Sequence, residues 1–330
     1  MRRSLAEILR CPGCCSTLAL ETNASGDEIE SGALICKGCA ATYPIERGIP
    51  RFVPAQNYAH SFGVQWNRFR RTLLDSHSGQ PISRDRFARY TGWSAEQLSG
   101  ALALDAGCGA GRFAEVALSF GARVIAIDLS TAIDAARENL ENKGEIDFVQ
   151  ADINAIPFAP GSFPLVYCLG VIQHTPDPAK SFRALARVTA PGGRLAVDVY
   201  PAGWKNLFFA KYWIRPLTTR ISAETSLRIV NRLFAPLYRL SRLVGRLPFA
   251  GHYLRYLIPV ANYTRVYPLD EGQLPEWALL DTYDMWASAY DQPQTLETVR
   301  AWFRDAGFTD IEAFHAGLFV GRSVKSGETG

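Results

Sequence analysis

The sequence contains no repeat, no low-complexity stretch and no run of about twenty uninterrupted apolar residues. The missing apolar run argues against a membrane-spanning helix, and the first residues lack the apolar core of a signal peptide. Neither sign of charge dominates, because 35 lysines and arginines stand against 32 acids, so the average charge alone does not indicate nucleic-acid binding. With 48% hydrophobic residues, the composition is that of a globular chain. We therefore expect a soluble, cytoplasmic protein.

Cysteine is scarce outside the N-terminal region, since five of the seven cysteines lie between Cys11 and Cys39. An odd, clustered count in a reducing compartment favours metal binding over disulfides. The pairs Cys11/Cys14 and Cys36/Cys39 are separated by 21 residues, a spacing typical of a zinc ribbon. We predict that these four thiolates hold a structural Zn²⁺ ion and that Cys15 stays outside the site. Reduced cysteines without metal, or a redox role, are the alternatives.

The second cysteine pair is followed by the stretch Tyr-Pro-Ile-x-x-Gly-Ile-Pro at residues 43–50. Together with Leu9-x-Cys11-Pro12-x-Cys14 and Leu34-Ile35-Cys36-x-x-Cys39, this stretch resembles the small zinc-ribbon proteins that partner tRNA and release-factor methyltransferases. The resemblance covers about residues 5–54 and implies a zinc-ribbon domain at residues 1–54. It says little about substrate, since such ribbons are also fused to other methyltransferases.

Short β-rich runs alternate with helical patterns between Leu98 and Tyr200, which predicts a parallel sheet with helices on both faces. The predicted strands cover 101–105, 123–128, 146–150, 165–169 and, after a Pro-Gly-Gly turn, 194–199. A glycine-rich turn after the first strand lets the backbone approach a ligand, and the free amides of the following helix favour an anionic group. Asp128 closes the next strand, 21 residues past Gly107, where a carboxylate can accept both hydrogen bonds of a ribose diol.

Two common nucleotide motifs are absent from this turn. A nicotinamide-binding G-x-G-x-x-G would need a third glycine at position 112, which is Arg112. A phosphate-binding P-loop would need a following G-K-[ST], which is also missing. The sequence instead reads G-x-G-x-G preceded by Asp105.

With this turn and the motifs that follow it in order, residues 98–200 resemble the class I S-adenosylmethionine-dependent methyltransferases of the small-molecule type. The resemblance implies an α/β fold, a doubly wound, seven-stranded Rossmann-like sheet, with S-adenosyl-L-methionine as cofactor. It also implies roles for individual residues. Those assigned to the cofactor are Asp105, Gly107, Cys108 and Gly109 for its methionyl and ribose portion, Asp128 and Leu129 for the ribose, Asp152 and Ile153 for the adenine, and Leu169 beneath the sulfonium.

The segment from Gly170 to His174 follows the fourth strand and is similar to a segment common in small-molecule methyltransferases. The N-P-P-Y or D-P-P-Y motif of nucleic-acid amino-methyltransferases is absent there, which argues against exocyclic base amines as acceptors. We predict that His174 acts as a general base or orients the acceptor, with Gln173 beside it. Such a base would help methyl transfer to a hydroxyl, whereas an unprotonated amine would need little help. Alternatively, His174 simply bonds a loop carbonyl.

Residues 55–97 are expected to form a helical lid or linker before the first strand. Tyr58, Gln65 and Trp66 are candidates to close over the cofactor and contact the acceptor. Plain packing of these side chains is the alternative.

Residues 201–292 are expected to form a helical cap inserted after strand five. From Tyr200 to Arg265 the chain has eleven lysines or arginines and one acid, whereas residues 266–299 have seven acids and no basic residue. We expect the two pieces to face each other or to line opposite walls of a cleft, with Tyr283, Asp284 and Tyr290 beside the acceptor. Helical spacing places five arginines opposite a line of leucines, and Pro236 should kink that helix. The basic face is interpreted as solvated, or as contacting an anionic substrate, a peripheral membrane surface or RNA.

Residues 293–324 are expected to complete the sheet with a helix from Thr295 and antiparallel strands at 308–314 and 318–320, before a disordered tail at 325–330. The predicted function is methyl transfer to an oxygen or nitrogen of a small or carrier-linked metabolite, which can be anionic. Two alternatives remain: an rRNA or tRNA methyltransferase that uses the ribbon and basic insertion to bind RNA, and a non-catalytic partner of another enzyme. Cofactor affinity separates the last alternative from the other two.

Overall fold

The computed structural model describes residues 1–54, 57–248 and 250–327. The strands are β1 (Leu18–Glu21), β2 (Ser31–Cys36), β3 (Thr42–Glu46), β4 (Ile49–Pro50), β5 (Leu102–Ala106), β6 (Arg123–Asp128), β7 (Ile146–Gln150), β8 (Phe163–Cys168), β9 (Thr189–Val199), β10 (Phe308–Ala316) and β11 (Leu318–Lys325). The helices are α1 (Arg3–Ile8), α2 (His60–Arg68), α3 (Asp75–Ser78), α4 (Ile82–Thr91), α5 (Ala95–Leu98), α6 (Arg112–Ser119), α7 (Ala132–Leu140), α8 (Pro178–Val188), α9 (Ala210–Thr218), α10 (Ala223–Val244), α11 (Gly251–Leu254), α12 (Gln273–Ala287) and α13 (Leu296–Asp305). Short 3₁₀ turns cover Ile153–Ala155, Ile172–His174, Trp204–Phe208 and Arg255–Leu257.

The main sheet has seven strands in the order β10-β11-β9-β8-β5-β6-β7. Strands β5 to β9 run parallel and are almost wholly buried, as expected of a sheet covered by helices on both faces. The β10–β11 hairpin adds antiparallel to β9. The chain proceeds from β5 to β6 and β7 on one side and returns to β8 and β9 on the other. This reversal opens a crevice at the carboxyl ends of β5 and β8, the usual ligand position in such sheets.

The N-terminal residues form a separate four-stranded sheet in the order β1-β2-β3-β4, and its end docks on the edge strand β7. The Phe52 amide donates to the Gln150 carbonyl at 2.8 Å, which extends the main sheet beyond β7. Beside it the buried Arg51 guanidinium donates to both carboxylate oxygens of Asp134, at 2.8 and 3.2 Å. The ribbon therefore covers an edge that would otherwise expose unpaired backbone groups.

The inserted segment folds as helices packed over the carboxyl ends of the strands. Helix α10 packs on α12 through buried side chains that include Phe234, Tyr238 and Ala278. Helix α12 in turn reaches the N-terminal helices, where Thr72 donates to Glu276 at 2.6 Å. This packing closes the crevice from above with α2, α4 and α12.

The predicted core strands are confirmed to within two residues, except that β9 begins at Thr189, before the Pro-Gly-Gly segment. Helix α10 continues through Pro236 as one element. The last strand extends to Lys325, and Ser326 is bonded to Gly307, so the expected disordered tail at 325–330 begins with ordered residues. Residues 328–330 of that tail, and residues 55 and 56 of the expected lid, lie outside the described residues. Over 1–54, 57–248 and 250–327, no helix has both the length and the apolar content needed to cross a bilayer.

Candidate cofactor and acceptor site

A cavity of about 960 Å³ lies at the carboxyl ends of the central strands. That volume is large enough for a nucleoside-sized cofactor together with a small acceptor. Twelve residues predicted from the sequence line it: Tyr58, Gln65, Trp66, Gly107, Cys108, Gly109, Asp128, Leu129, Ile153, Leu169, His174 and Asp284. The structure thus brings residues from the glycine-rich turn, three strand ends, the lid helix and the cap to one place. The five others, Asp105, Asp152, Gln173, Tyr283 and Tyr290, lie outside the lining.

The glycine-rich turn after β5 needs glycine for its backbone shape and for close packing. Gly107 and Gly109 have φ angles of 83° and 55°, in the region that side chains rarely adopt. A Cβ on Gly107 would lie 2.5 Å from the Val171 side chain, and one on Gly109 would lie 3.1 Å from the Trp66 ring. The turn therefore sits tightly between the loop after β8 and the lid helix α2, with its backbone facing the cavity.

Asp128 at the end of β6 is held rigidly by three donors. The Gly109 amide donates to Oδ2 at 2.9 Å, and the Ser130 amide and hydroxyl donate to Oδ1 at 2.8 and 2.7 Å. A carboxylate offers about four acceptor positions, so one remains for a ligand hydroxyl. A second ligand hydroxyl requires the Ser130 hydroxyl to turn away. Burial raises the pKa of Asp128, and these donors oppose that effect.

Two predicted cofactor acids take other positions. Asp105 is 2% exposed, one of its carboxylate oxygens has no hydrogen-bond partner, and burial raises its pKa to about 8. Asp152 caps the short helical turn after β7, where its Oδ1 accepts from the Asn154 amide at 2.8 Å and the Asn154 side chain at 3.0 Å. Its neighbour Ile153 lines the cavity in its place.

The His174 imidazole is fixed in one tautomer. Its Nδ1 lies 2.9 Å from the Tyr290 carbonyl oxygen, and a carbonyl can only accept, so Nδ1 carries the hydrogen. Nε2 is then unprotonated in the neutral ring and lies 4.0 Å from Asp284 Oδ2. Phe62 and Tyr200 contact the ring edge-on, at centroid distances of 5.1 and 5.3 Å. The site holds a buried base whose free nitrogen is available to a ligand.

Helix α12 supplies one cavity-facing stripe. Trp277, Asp281 and Asp284 line the cavity because residues three and four apart share a helix face. Burial raises the pKa of Asp281 to about 6, and the Tyr263 hydroxyl donates to its carboxylate. Tyr283 is on the other face, where its hydroxyl donates to the Ala223 carbonyl at 3.1 Å.

Two further residues that were predicted to contact the acceptor, Tyr290 and Gln173, lie outside the cavity lining. Tyr290 contributes its backbone carbonyl to His174, and its ring lies edge-on to Tyr58 at 5.5 Å between centroids. Gln173 is fully buried, and both polar atoms of its side chain lack a hydrogen-bond partner. These residues shape the pocket from outside its lining.

A pair of arginines in the wall was missed by the sequence analysis as a ligand-binding feature. Arg86 donates to the buried Asp198 carboxylate at 2.6 Å. Arg112 donates through Nε to the Ser83 hydroxyl at 2.8 Å, while its buried Nη2 has no partner. Burial, with the charge of Arg86, lowers the pKa of Arg112 to about 10, so it stays cationic at neutral pH. A buried, unsatisfied guanidinium beside a cavity is suited to an anionic ligand group.

The four cysteines of the ribbon converge, with their Sγ atoms all within 4.8 Å of one another. Cys11 and Cys39 sulfurs lie 3.7 Å apart and Cys14 and Cys36 sulfurs 3.3 Å apart, and none forms a disulfide. Tetrahedral zinc with Zn–S bonds near 2.3 Å places its sulfurs about 3.8 Å apart, so this donor set fits Zn²⁺. Cys15 is exposed and outside the cluster.

The chain matches two family models: residues 104–197 match a methyltransferase domain, and residues 2–48 match the Trm112p-like proteins. A ubiquinone biosynthesis O-methyltransferase of Xanthomonas euvesicatoria is 40% identical over 102 residues, which are 30% of this chain and 43% of that protein. The protein of the same name in Xylella fastidiosa is 41% identical over 125 residues, 37% of this chain and 49% of that protein. The chain thus spans less than half the length of these curated relatives.

Magnesium protoporphyrin IX methyltransferase of Synechocystis is a structural neighbour with a TM-score of 0.45 and 16% identity, covering 82% of this chain and 97% of that one. That likeness is too distant to bear on function.

Proposed function

This chain carries a methyltransferase domain fused to a Trm112p-like zinc ribbon, and from that premise we propose that it methylates a hydroxyl oxygen of a small or carrier-linked acceptor, using S-adenosylmethionine. The supporting observation is that two residues line the same cavity: Asp128, the acid expected to bind ribose, and His174, whose tautomer is fixed by the Tyr290 carbonyl. The curated relatives are named O-methyltransferases, which favours oxygen over nitrogen as the acceptor atom.

Residues of the chain suit the parts of this cofactor. The glycine-rich turn, with Cys108, would hold the methionyl end and Asp128 a ribose hydroxyl, while Leu129 and Ile153 would flank the adenine. When bound, S-adenosylmethionine supplies a methyl group activated by a sulfonium.

His174 is proposed as the general base. Its free Nε2 would take the proton of the acceptor hydroxyl as the oxygen bonds to the methyl carbon, while the bond between that carbon and sulfur breaks and S-adenosylhomocysteine leaves with the electron pair. The Tyr290 carbonyl keeps the ring in the tautomer that this requires, and Asp284, 4.0 Å from Nε2, would stabilise the imidazolium. Trp66, Gln65 and Tyr58 would close over the reacting groups from the side of α2, which excludes water.

Arg112, which lines the cavity, would bind an anionic group through its guanidinium. That group is a carboxylate of the acceptor or the α-carboxylate of the cofactor. The zinc ion would be architectural, because four thiolates leave no coordination position for a substrate.

The test uses the full, zinc-loaded chain with S-adenosylmethionine labelled in its methyl group and an extract of the source cells that contains their small molecules, RNA and proteins. We expect label in a small molecule, with His174→Gln lowering the turnover number by at least about 100-fold and leaving S-adenosylhomocysteine affinity unchanged. His77→Gln is the matched control, because His77 is exposed at the end of α3. Label found only in RNA or on the amino-acid residues of proteins, or full activity in the His174 variant, would overturn the proposal.

A further inference from the structure

The cap concentrates the apolar surface of the molecule. Of the sixteen large apolar side chains exposed within the described ranges, fourteen lie between Trp204 and Val266. Trp204 is 70% exposed and Leu243 is 62% exposed. Single exposed apolar residues are ordinary, whereas a concentration of this kind marks an interaction surface.

Eleven of these fourteen residues belong to two segments that adjoin. The first covers 204–217, where the Trp204 and Phe208 rings pack at 5.9 Å between centroids and the exposed Trp213 indole donates to the Leu207 carbonyl at 2.8 Å. The second covers 240–248 and 250–257, from the end of α10 through α11. Phe209 and Tyr256 join them with their rings 4.7 Å apart. We call the combined area the cap surface.

Helix α10 shows why this area is exposed instead of buried. Its packed face is formed by Val230, Phe234 and Tyr238, not by the leucines at 233, 240 and 243, which are exposed. At 100° per residue, those three leucines lie on one side of the helix, and the exposed Leu247 follows in the turn after Val244. The exposed arginines Arg232 and Arg239 lie beside the leucines on the helix, and the exposed Arg246 follows in the same turn. The helix thus presents a leucine stripe and an arginine stripe together to solvent.

The positive charge of the cap is not neutralised by the acidic segment that follows it. Within the described ranges, the salt bridge between the two segments joins Lys211 to Asp291 at 2.6 Å, and the arginines of α10 have no carboxylate within 4.0 Å. Asp281 and Asp284 face the cavity instead. The two pieces were expected to face each other or to line opposite walls of a cleft, and α10 does pack on α12. Because the ion pair with Asp291 neutralises Lys211, a net charge of about +9 remains on residues 200–265, beside the apolar side chains.

From this juxtaposition we propose that the cap surface docks the protein on an anionic lipid bilayer, as a peripheral contact in the plane of the membrane. Leucine, tryptophan and phenylalanine would enter the headgroup boundary while the arginines contact lipid phosphates. The four arginines of α10 exclude a spanning role for that helix. Val266 lines the cavity and is itself exposed, so the chain that forms the cap surface reaches the cavity wall.

Two other occupants fit less well. A two-fold dimer through this surface would bring two strongly positive patches face to face, which is repulsive. RNA would use the arginines but leave the leucine stripe exposed, because nucleic acids are bound through charge and aromatic stacking.

The proposal is tested by sedimenting the full chain with vesicles of phosphatidylcholine alone and of equal parts phosphatidylcholine and phosphatidylglycerol. We expect at least tenfold stronger partitioning onto the anionic vesicles. In the double variant Arg239→Gln, Arg246→Gln, partitioning onto the anionic vesicles should fall by about 25-fold, because each lost charge weakens it roughly fivefold. The double variant Leu243→Ser, Leu247→Ser should lose about 100-fold, at roughly tenfold per side chain.

Matched controls are Arg183→Gln on α8 and Ile8→Ser on α1, both exposed and outside the cap, and they should partition as the wild type does. Equal or absent partitioning on the two vesicle types, or unchanged partitioning of both double variants, would overturn the proposal. So would a dimer that the leucine variant dissociates, or salt-sensitive RNA binding that the arginine variant abolishes without any vesicle binding. The assay contains no cofactor, so its outcome is independent of the proposed methyl transfer.

Discussion

Replacing Asp128 by Asn should weaken binding of S-adenosylhomocysteine by roughly 30- to 1,000-fold. The wild-type carboxylate accepts from Gly109 at 2.9 Å and twice from Ser130, and its remaining position would accept from a ribose hydroxyl. Asparagine has one acceptor oxygen. If that oxygen keeps its hydrogen bonds with Ser130, the amide NH₂ takes the place of the oxygen that accepted from Gly109. The Gly109 N–H and the ligand hydroxyl then both lose their acceptor.

The expected magnitude follows from those contacts. A hydrogen bond to a charged group contributes about 1.5–3 kcal/mol, and an unsatisfied buried donor costs about 1–3 kcal/mol. Because the ligand partly repositions around the amide, we expect a net loss of about 2–4 kcal/mol, which corresponds to the fold-change above.

Isothermal titration calorimetry on the zinc-loaded protein measures this change. Asp310→Asn on β10 is the matched control, since Asp310 is exposed and asparagine tolerates its positive φ. Both variants should melt within a few degrees of the wild type. A folded Asp128→Asn protein whose Kd lies within threefold of the wild type would refute the assigned ribose contact.

Two further predictions concern the ribbon and Asp105, the buried acid in β5. Elemental analysis should give one zinc per chain. Removing that zinc with a chelator under reducing conditions, or substituting Cys36→Ser, should unfold the ribbon, and the amides of β2 should then lose their protection from hydrogen exchange. Burial raises the pKa of Asp105 from about 4 to about 8, so between these pH values the folded state binds one proton more than the unfolded state. The free energy of unfolding should therefore fall as pH rises through this window, by about 1.4 kcal/mol per pH unit. Asp105→Asn should remove this slope in urea titrations. Protected β2 amides without metal, or parallel pH profiles for Asp105→Asn and wild type, would contradict these expectations.

The core of the fold was predictable because its local signals agree with its topology. The strands ending at Asp128 and Gln150 were located to the residue, since each is a short apolar run between clear breaks. The cysteine spacing likewise predicted a cluster that the structure assembles. In these regions, local pattern and tertiary packing impose the same arrangement.

The cap was predicted less well, because its acidic segment was not assigned to helix faces. Tyr283 and Asp284 were both interpreted as lying beside the acceptor, but α12 turns Tyr283 away from the cavity. The 3.6-residue period from Trp277 through Asp281 to Asp284 was the available signal.

Arg86 had no such signal, since its position over the cavity depends on how α4 packs against the sheet. The sequence showed Arg112 only as the residue that breaks a nicotinamide motif. The leucines of α10 show the same limit: period alone does not decide which of two apolar stripes is buried.

Equilibrium dialysis of the full, zinc-loaded chain against labelled S-adenosylmethionine tests the central claim most directly. The account predicts one molecule bound per chain, displaced by S-adenosylhomocysteine and not by a nicotinamide dinucleotide. No binding, or displacement by the nicotinamide dinucleotide, would contradict it.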